Sequence, residues 1–276
     1  MEEFIRHLVE GKKRDLHVHT KYCNHASGEM VDYVESALER GLEEIGFLAH
    51  AEVGLAGKPK KWLDRTDLEV YWREGNELKE RYRGRIVVSL GLELGLNTRR
   101  PDLVGEVIGL HPWDRIGLSH HFVPHGGDLV NIASRRETEG WQGIDPLELY
   151  LAYYQGLKEY LAEIRPFMVC HFDVPRKFLT DLGPHPSLLE PARLILEQMA
   201  ILGTKLEVNT SGYRQTGRLY PAPWILRQAA ALGIRPVLCS DSHRPEDPGR
   251  NFERAVRDIE ELGRRVDPGA EGWAAR

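Results

Sequence analysis

The chain has 276 residues, 41% of them hydrophobic, enough for one large α/β core, and its net charge of -5 with dispersed basic residues gives no broad cationic face for nucleic acid or an anionic membrane. Three cysteines (Cys23, Cys170 and Cys239) without a CxxC pair argue against a disulfide framework and a thiolate zinc site. No run of about 18 apolar residues occurs, and residues 1–14 are charged and lack the apolar centre of a signal peptide, so an unexported, cytoplasmic protein is expected.

Periodicity places a first strand at Asp15 to His19, then a helix from about Met30 whose Val31, Val34 and Leu38 share one face before Gly41 ends it. Ile45 to Ala49 is the next apolar run, and Thr66 with Glu69 has the spacing of a capping box that opens a long helix. Ile86 to Leu94 reads as a third strand, followed by a short helical stretch near Leu103 to Leu110. Arg115 to Val123 makes a fourth strand. Asp145, Pro146 and Glu148 then suit the N-cap, N1 and N3 of a helix with Tyr150, Tyr154, Leu157 and Leu161 on its inner stripe. Phe167 to Val174 is the fifth strand, after which Ser187 and Glu190 cap a helix ending at Gly203. Leu206 to Val208, a helix from Trp224 to Leu232, Pro236 to Cys239 and a last helix opening at Asp247-Pro248 complete the series.

Each strand followed by a helix implies parallel strands, because every crossover returns the chain to the same end of the sheet. Seven such units suit a closed or nearly closed TIM-like (β/α)7 barrel, distorted from the usual eight, better than a short open sheet; a doubly wound sheet is the alternative. No internal repeat, low-complexity tract or Pro/Ser-rich linker interrupts the series, so a single domain over residues 1–276 is expected.

In parallel barrels the functional side chains project from the carboxyl ends of the strands. His17 and His19 alternate at the end of strand one, so both point the same way, and His25 lies in the loop just beyond. His50 ends strand two, Glu93 falls late in strand three, His120 and His121 lie in strand four and His171 in strand five. Asp241 and His243 repeat the alternate spacing after strand seven. A lone histidine near a strand end is more often structural than a ligand. Nine suitable groups on six strand ends, taking one of His120 and His121, point instead to a polynuclear metal site. Neighbouring strand residues face opposite sides, so those two histidines compete for one role. Imidazole and carboxylate donors suit zinc, iron or manganese better than calcium.

These residues carry a family resemblance. Asp15-Leu-His-Val-His-Thr20 and Cys23-Asn-His25-Ala-Ser-Gly28 are similar to the opening of the PHP (polymerase and histidinol phosphatase) family, the second piece in the manner of its monofunctional histidinol-phosphatases. Gly91-Leu-Glu93, Ser119-His-His121-Phe122, His171-Phe-Asp173 with Lys177-Phe178, Glu207-Val-Asn209-Thr-Ser-Gly212 and Ser240-Asp-Ser-His243-Arg-Pro245 resemble the later motifs in order, over about residues 14–263. The resemblance implies a distorted seven-stranded barrel with three divalent ions. His17, His19, Glu93 and Asp241 would hold one, with Glu93 shared with a second held by His121 and His171; His25, His50 and His243 would take the third. Its Ser-x-His-Phe pattern aligns Ser119 with His121 and leaves His120 facing the helices. Two departures stand out: Ala49 replaces the aspartate usual before His50, and Leu94 to Arg100 lacks the acidic and aromatic residues usual in histidinol-phosphatases.

The implied activity is hydrolysis of a small phosphate monoester, L-histidinol phosphate, in histidine biosynthesis, with Glu93, Asp241 and His243 central to the chemistry. Asp173 is a candidate to orient a ligand or protonate the leaving group, its competing reading being an aspartate that caps a turn. Arg176, Lys177 and Arg214 are candidate phosphate contacts, since a guanidinium can fork onto phosphoryl oxygens. Asn209 and Ser211 read either as orienting groups or as turn chemistry. Lys58, Lys60, Lys61 and Trp62 read as a basic aromatic surface loop. His7, His111, His125 and His185 are not expected to be ligands, and Cys23 reads as packing. The alternatives are a phosphoesterase of the same family acting on a diester, nucleotide or phosphotyrosine, and a non-catalytic metal-binding protein. Amidohydrolase chemistry fits less well, because its bridging lysine has no counterpart on strand four.

Overall fold

The computed structural model describes residues 1–52, 54–55, 62–97, 100–133, 141, 143–177 and 185–265. Lys58, Lys60, Lys61 and Phe178 lie outside the described residues. Four strands begin the sheet: β1 (Arg14–Val18), β2 (Glu44–Glu52), β3 (Val87–Gly95) and β4 (Arg115–Ser119). Three more, β7 (Met168–Val169), β8 (Lys205–Asn209) and β9 (Pro236–Cys239), continue it. The order is β1-β2-β3-β4-β7-β8-β9, every pairing is parallel, and β2 is buried along almost its whole length, as a strand covered on both faces should be.

The two ends of the sheet meet. Val18 bridges Ser242 just past β9, and the His19 N–H donates to the Ser242 carbonyl at 2.8 Å. Asp15 reinforces this seam by accepting from the Ser240 N–H at 3.0 Å and the Gly249 N–H at 2.8 Å. The result is a nearly closed barrel of seven strands. A small apolar cluster of Leu16, Leu48, Met168, Cys170 and Cys239 stands apart from the main core, and Leu48 shares its face of β2 with His50 and Glu52. On β2, His50 and Glu52 therefore sit on the same inward row as this apolar plug, displaced toward the carboxyl end.

The helices α2 (Met30–Glu39), α3 (Arg65–Arg81), α4 (Pro101–Ile108), α5 (Pro146–Ile164), α6 (Pro186–Leu202), α8 (Pro223–Ala231) and α9 (Phe252–Arg264) alternate with these strands. Asp145 caps α5 by accepting from the Leu147 N–H at 2.9 Å, and Tyr150, Tyr154, Leu157 and Leu161 are buried, as their spacing requires. An additional helix, α1 (Glu2–Gly11), buries Phe4 and Leu8 ahead of the barrel. No described helix is long and apolar enough to cross a membrane.

Several elements differ from the sequence reading. Strand four stops at Ser119, and Phe122 begins an antiparallel hairpin of β5 (Phe122–His125) and β6 (Asp128–Asn131) instead of extending it. Strand five is reduced to two residues, because His171 adopts φ 24°, which ends the extended run before the ligand. Helix α3 is capped by Asp64 and Asp67 rather than by Thr66 and Glu69, and α6 by His185 with Pro186 rather than by Ser187. The Asp247-Pro248 pair makes a turn, closed by the Arg250 N–H to the Asp247 carbonyl at 3.0 Å, and α9 starts only at Phe252. The short helix α7 (Gly212–Thr216) follows β8 directly.

Candidate metal centre

The side chains at the carboxyl ends of the strands converge on Glu93. Its Oε1 lies 2.7 Å from His171 Nε2 and 3.3 Å from His121 Nε2. Its Oε2 lies 2.7 Å from His50 Nδ1 and 3.6 Å from Nε2 of both His17 and His19. Asp241 Oδ1 approaches His19 Nε2 at 3.0 Å and His17 Nε2 at 3.9 Å. His25 and His243 face each other through their Nε2 atoms at 2.8 Å. The ligand atoms of His19, His50 and His243 form one compact group, those of His17, His19 and Asp241 a second, and those of His50, Glu93 and His121 a third, each within 4.8 Å.

Most of these imidazoles are held by their other nitrogen. His17 Nδ1 is 2.6 Å from Glu207 Oε1, His121 Nδ1 pairs with Glu52, His25 Nδ1 is 2.7 Å from the Cys23 carbonyl and His243 Nδ1 is 2.9 Å from the Asp241 carbonyl. With acceptors at Nδ1, the neutral form of each ring carries its proton there and leaves Nε2 free to bind a cation in the common space. Asp241, at φ 52°, is braced by Asn209 Nδ2 at 3.2 Å and the Ser211 hydroxyl at 3.1 Å, which donate to its Oδ2. Asn209 also accepts the Ser211 N–H at 2.9 Å, so the turn and the orienting role coexist in one pair of residues.

The electrostatics hold both carboxylates and His19 in ligand-competent forms. Burial opposes ionisation of Glu93, but His50, His121 and His17 outweigh it and hold the carboxyl well below its usual range. Asp241 is likewise held down against burial, by His17 and His19. Burial, then His243 and His50, keep His19 neutral. Burial works against a charge on His121, yet Glu93 and Glu52 push its pKa up to about 10, so a cation bound there takes the place of a proton. Imidazole lone pairs and carboxylates that crowd one another in this way fit divalent cations. The clearest sign is that His50 Nδ1 and Glu93 Oε2, both buried and 2.7 Å apart, have no hydrogen-bond partner.

A cavity of about 720 Å³ opens above the cluster. Lys177 and Arg214 line it, as do His25, His50, Glu93, His121, His171, Asp241 and His243. Arg176 and Asp173 do not. Arg176 Nε donates to Asp173 Oδ2 at 2.9 Å, its terminal nitrogen donates to the Leu219 carbonyl, and its guanidinium lies over the Tyr220 ring. Asp173 is fully buried and also accepts the Ala222 N–H at 2.8 Å. Both residues thus pin the chain at 219–222, which corrects the expectation that they face substrate. His120 stacks on Tyr153 in α5, its Nδ1 3.1 Å from the Tyr153 carbonyl, whereas His121 reaches Glu93. Ala49 packs into the main core on the face of β2 opposite His50.

The remaining histidines are elsewhere: His7 and His125 lie beside surface glutamates, His111 stacks on Trp72, and His185 caps α6. Sequence reading passed over Glu207, Glu52 and Asp15 as individual contributors. Glu207 is an acid in a buried apolar strand and shares its inward row with Asn209; Glu52 lies two residues beyond His50 on the same row, past the point where the apolar run of β2 seemed to end.

The PHP domain family matches residues 15–211. A protein of Deinococcus radiodurans named "Probable histidinol-phosphatase" is 34% identical over 91% of this chain and 94% of its own length. The histidinol-phosphatase of Bacillus subtilis is 30% identical over 88% of this chain and 97% of its own. The crystal structure of histidinol phosphate phosphatase from Lactococcus lactis, in complex with zinc, L-histidinol and phosphate, has the same fold, with a TM-score of 0.72 at 22% identity over 91% of this chain and 94% of that one.

Proposed function

This chain belongs to the PHP-domain family, and we propose that it is a metal-dependent phosphatase that hydrolyses L-histidinol phosphate to L-histidinol and inorganic phosphate in cytoplasmic histidine biosynthesis. The observation that carries this reading is the gathering of nine donor side chains around Glu93, itself one of them, with seven of the nine lining one cavity and Lys177 and Arg214 beside them. The names of the relatives from Deinococcus and Bacillus, and the zinc, L-histidinol and phosphate held by the Lactococcus enzyme, support the same assignment.

Three divalent ions of zinc, iron or manganese suit the donors: one with His17, His19, Glu93 and Asp241, one with Glu93, His121 and His171, and one with His25, His50 and His243. When bound, such ions neutralise phosphoryl oxygens and lower the pKa of water toward neutrality, the two demands of phosphate monoester hydrolysis. The side chains supply the rest. Lys177 and Arg214 are placed to bind phosphoryl oxygens by charge-assisted hydrogen bonds. Glu207 and Glu52 fix the tautomers of His17 and His121. Asn209 and Ser211 hold Asp241 in its left-handed conformation. Phosphate release from a panel of esters, measured with protein loaded with zinc, manganese or iron, tests the assignment; a higher kcat/KM for a dinucleotide than for histidinol phosphate would refute it.

A further inference from the structure

Part of the cavity wall comes from outside the barrel strands. The β5–β6 hairpin starts one residue past His121, and Phe122 and Asn131 are direct partners across it. Opposed residues of an antiparallel pair project from the same face, and both of these line the cavity. Trp62, from the connection between β2 and α3, also lines it and meets the Phe122 ring edge-on, centroids 6.0 Å apart at 84°. The Asn131 carboxamide oxygen is engaged by the Ala133 N–H at 2.9 Å, which leaves its NH2 group as the polar function at this wall.

Trp62, Phe122 and Asn131 carry no charge themselves and supply aromatic surface and one amide donor, with Lys177 at their edge, its Nζ donating to the Ala133 carbonyl at 3.2 Å. This patch offers little to a phosphate, whose charge is served by Lys177, Arg214 and the ligand cluster. It fits a planar heteroaromatic ring that packs against aromatic surfaces and accepts one hydrogen bond at an unprotonated nitrogen. Imidazole above its pKa of about 6.5 is such a ring.

We propose that Asn131 donates a hydrogen bond to the imidazole of the leaving alcohol while Trp62 and Phe122 pack against that ring, which makes the β5–β6 hairpin the specificity-determining element. The inference rests on the phosphatase reading above and adds to it the residues that select the leaving group. Removing the donor leaves a ring nitrogen unpaired in a confined site, an effect of about 10- to 100-fold.

The test titrates zinc-loaded protein at pH 8 with L-histidinol and, separately, with inorganic phosphate, for the wild type, Asn131→Leu and Trp62→Leu. Turnover is measured on histidinol phosphate and on 2-aminobutanol phosphate, which lacks the ring. The two variants lie on different elements, so the loss of one to misfolding leaves the other to decide. Both variants are expected to bind L-histidinol at least about 10-fold more weakly and phosphate with unchanged Kd. The loss in kcat/KM is expected on histidinol phosphate only. Unchanged histidinol affinity, equal losses on the two esters, or a wild type that turns over the ring-less ester equally well would each overturn ring recognition while phosphatase activity stands. Release of phosphate from neither ester would overturn both readings together.

Discussion

Glu93 Oε2 lies 2.7 Å from His50 Nδ1, and neither buried atom has a hydrogen-bond partner. A buried polar atom left unsatisfied costs about 1–3 kcal/mol, and two lone-pair donors aimed at one point are a poor arrangement for a folded chain by itself. Cations held by the cluster satisfy both. Glu93 also approaches His17, His19, His121 and His171, so it is the group on which the donors depend.

Glu93→Gln removes that shared charge and leaves the shape. Phosphatase activity is expected to fall by roughly 10³-fold, the scale of losing a principal electrostatic contact in a catalytic site, and bound metal to fall in parallel. Phosphate release with elemental analysis on the same preparation checks this. Full metal content with full turnover would remove Glu93 from the centre of the site.

Glu207→Gln acts at one remove. Glu207 touches His17 at 2.6 Å and reaches no other member of the donor set except through Asn209 and the His171 backbone. Loss of its charge is expected to weaken metal binding by about 10- to 100-fold, as for other partners of metal-bound histidines. Competition with a chelator of known affinity reads that change directly, and activity should recover as free metal is raised.

The two adjacent histidines should separate cleanly. His121→Ala is expected to lose metal and turnover. Gly156→Ala on α5 instead would drive a methyl group into the His120 ring, at an overpacking cost of about 1–3 kcal/mol, while metal content at low temperature stays at the wild-type level. Thermal melts beside metal counts distinguish the two outcomes; metal loss in Gly156→Ala without any fall in Tm would mean that the pair had been assigned the wrong way round.

Gly28 joins the His25 loop to the His243 loop. It adopts φ 81°, and a Cβ there would overlap the Pro245 side chain, next to the Ser27 N–H that donates to the His243 carbonyl at 3.0 Å. Gly28→Ala is expected to cost at least about 1 kcal/mol of backbone strain and to part His25 from His243, so that one metal equivalent is lost before the others. A metal titration that keeps the wild-type stoichiometry would contradict this.

The ligands were legible in the sequence because most sit where an apolar run ends, and the period of two in His17/His19 survives folding, whereas Asp241 and His243 lie past β9 with Asp241 in the left-handed conformation. The seven barrel strands were legible for the same reason. The hairpin was not, since Ser119 to Val123 reads as one continuous strand and only the break at His120 and His121 interrupts it. Asp173 and Arg176 misled because position after a strand does not say whether a charged side chain faces the cavity or a neighbouring buried partner. Here the partner was each other. Glu207 and Glu52 were hidden because a carboxylate that orients a histidine has no spacing signature of its own.

The most direct measurement of the central claim, that donors scattered along the chain form one metal cage for phosphate hydrolysis, follows a single preparation through chelation and reloading. Metal content and phosphate release from L-histidinol phosphate are measured as purified, after exhaustive chelation and after zinc or manganese is restored. The account expects about three equivalents per chain, loss of turnover as they are removed and its return as they are replaced. Undiminished hydrolysis by protein shown to be free of metal, or protein that takes up no metal at all, would contradict it.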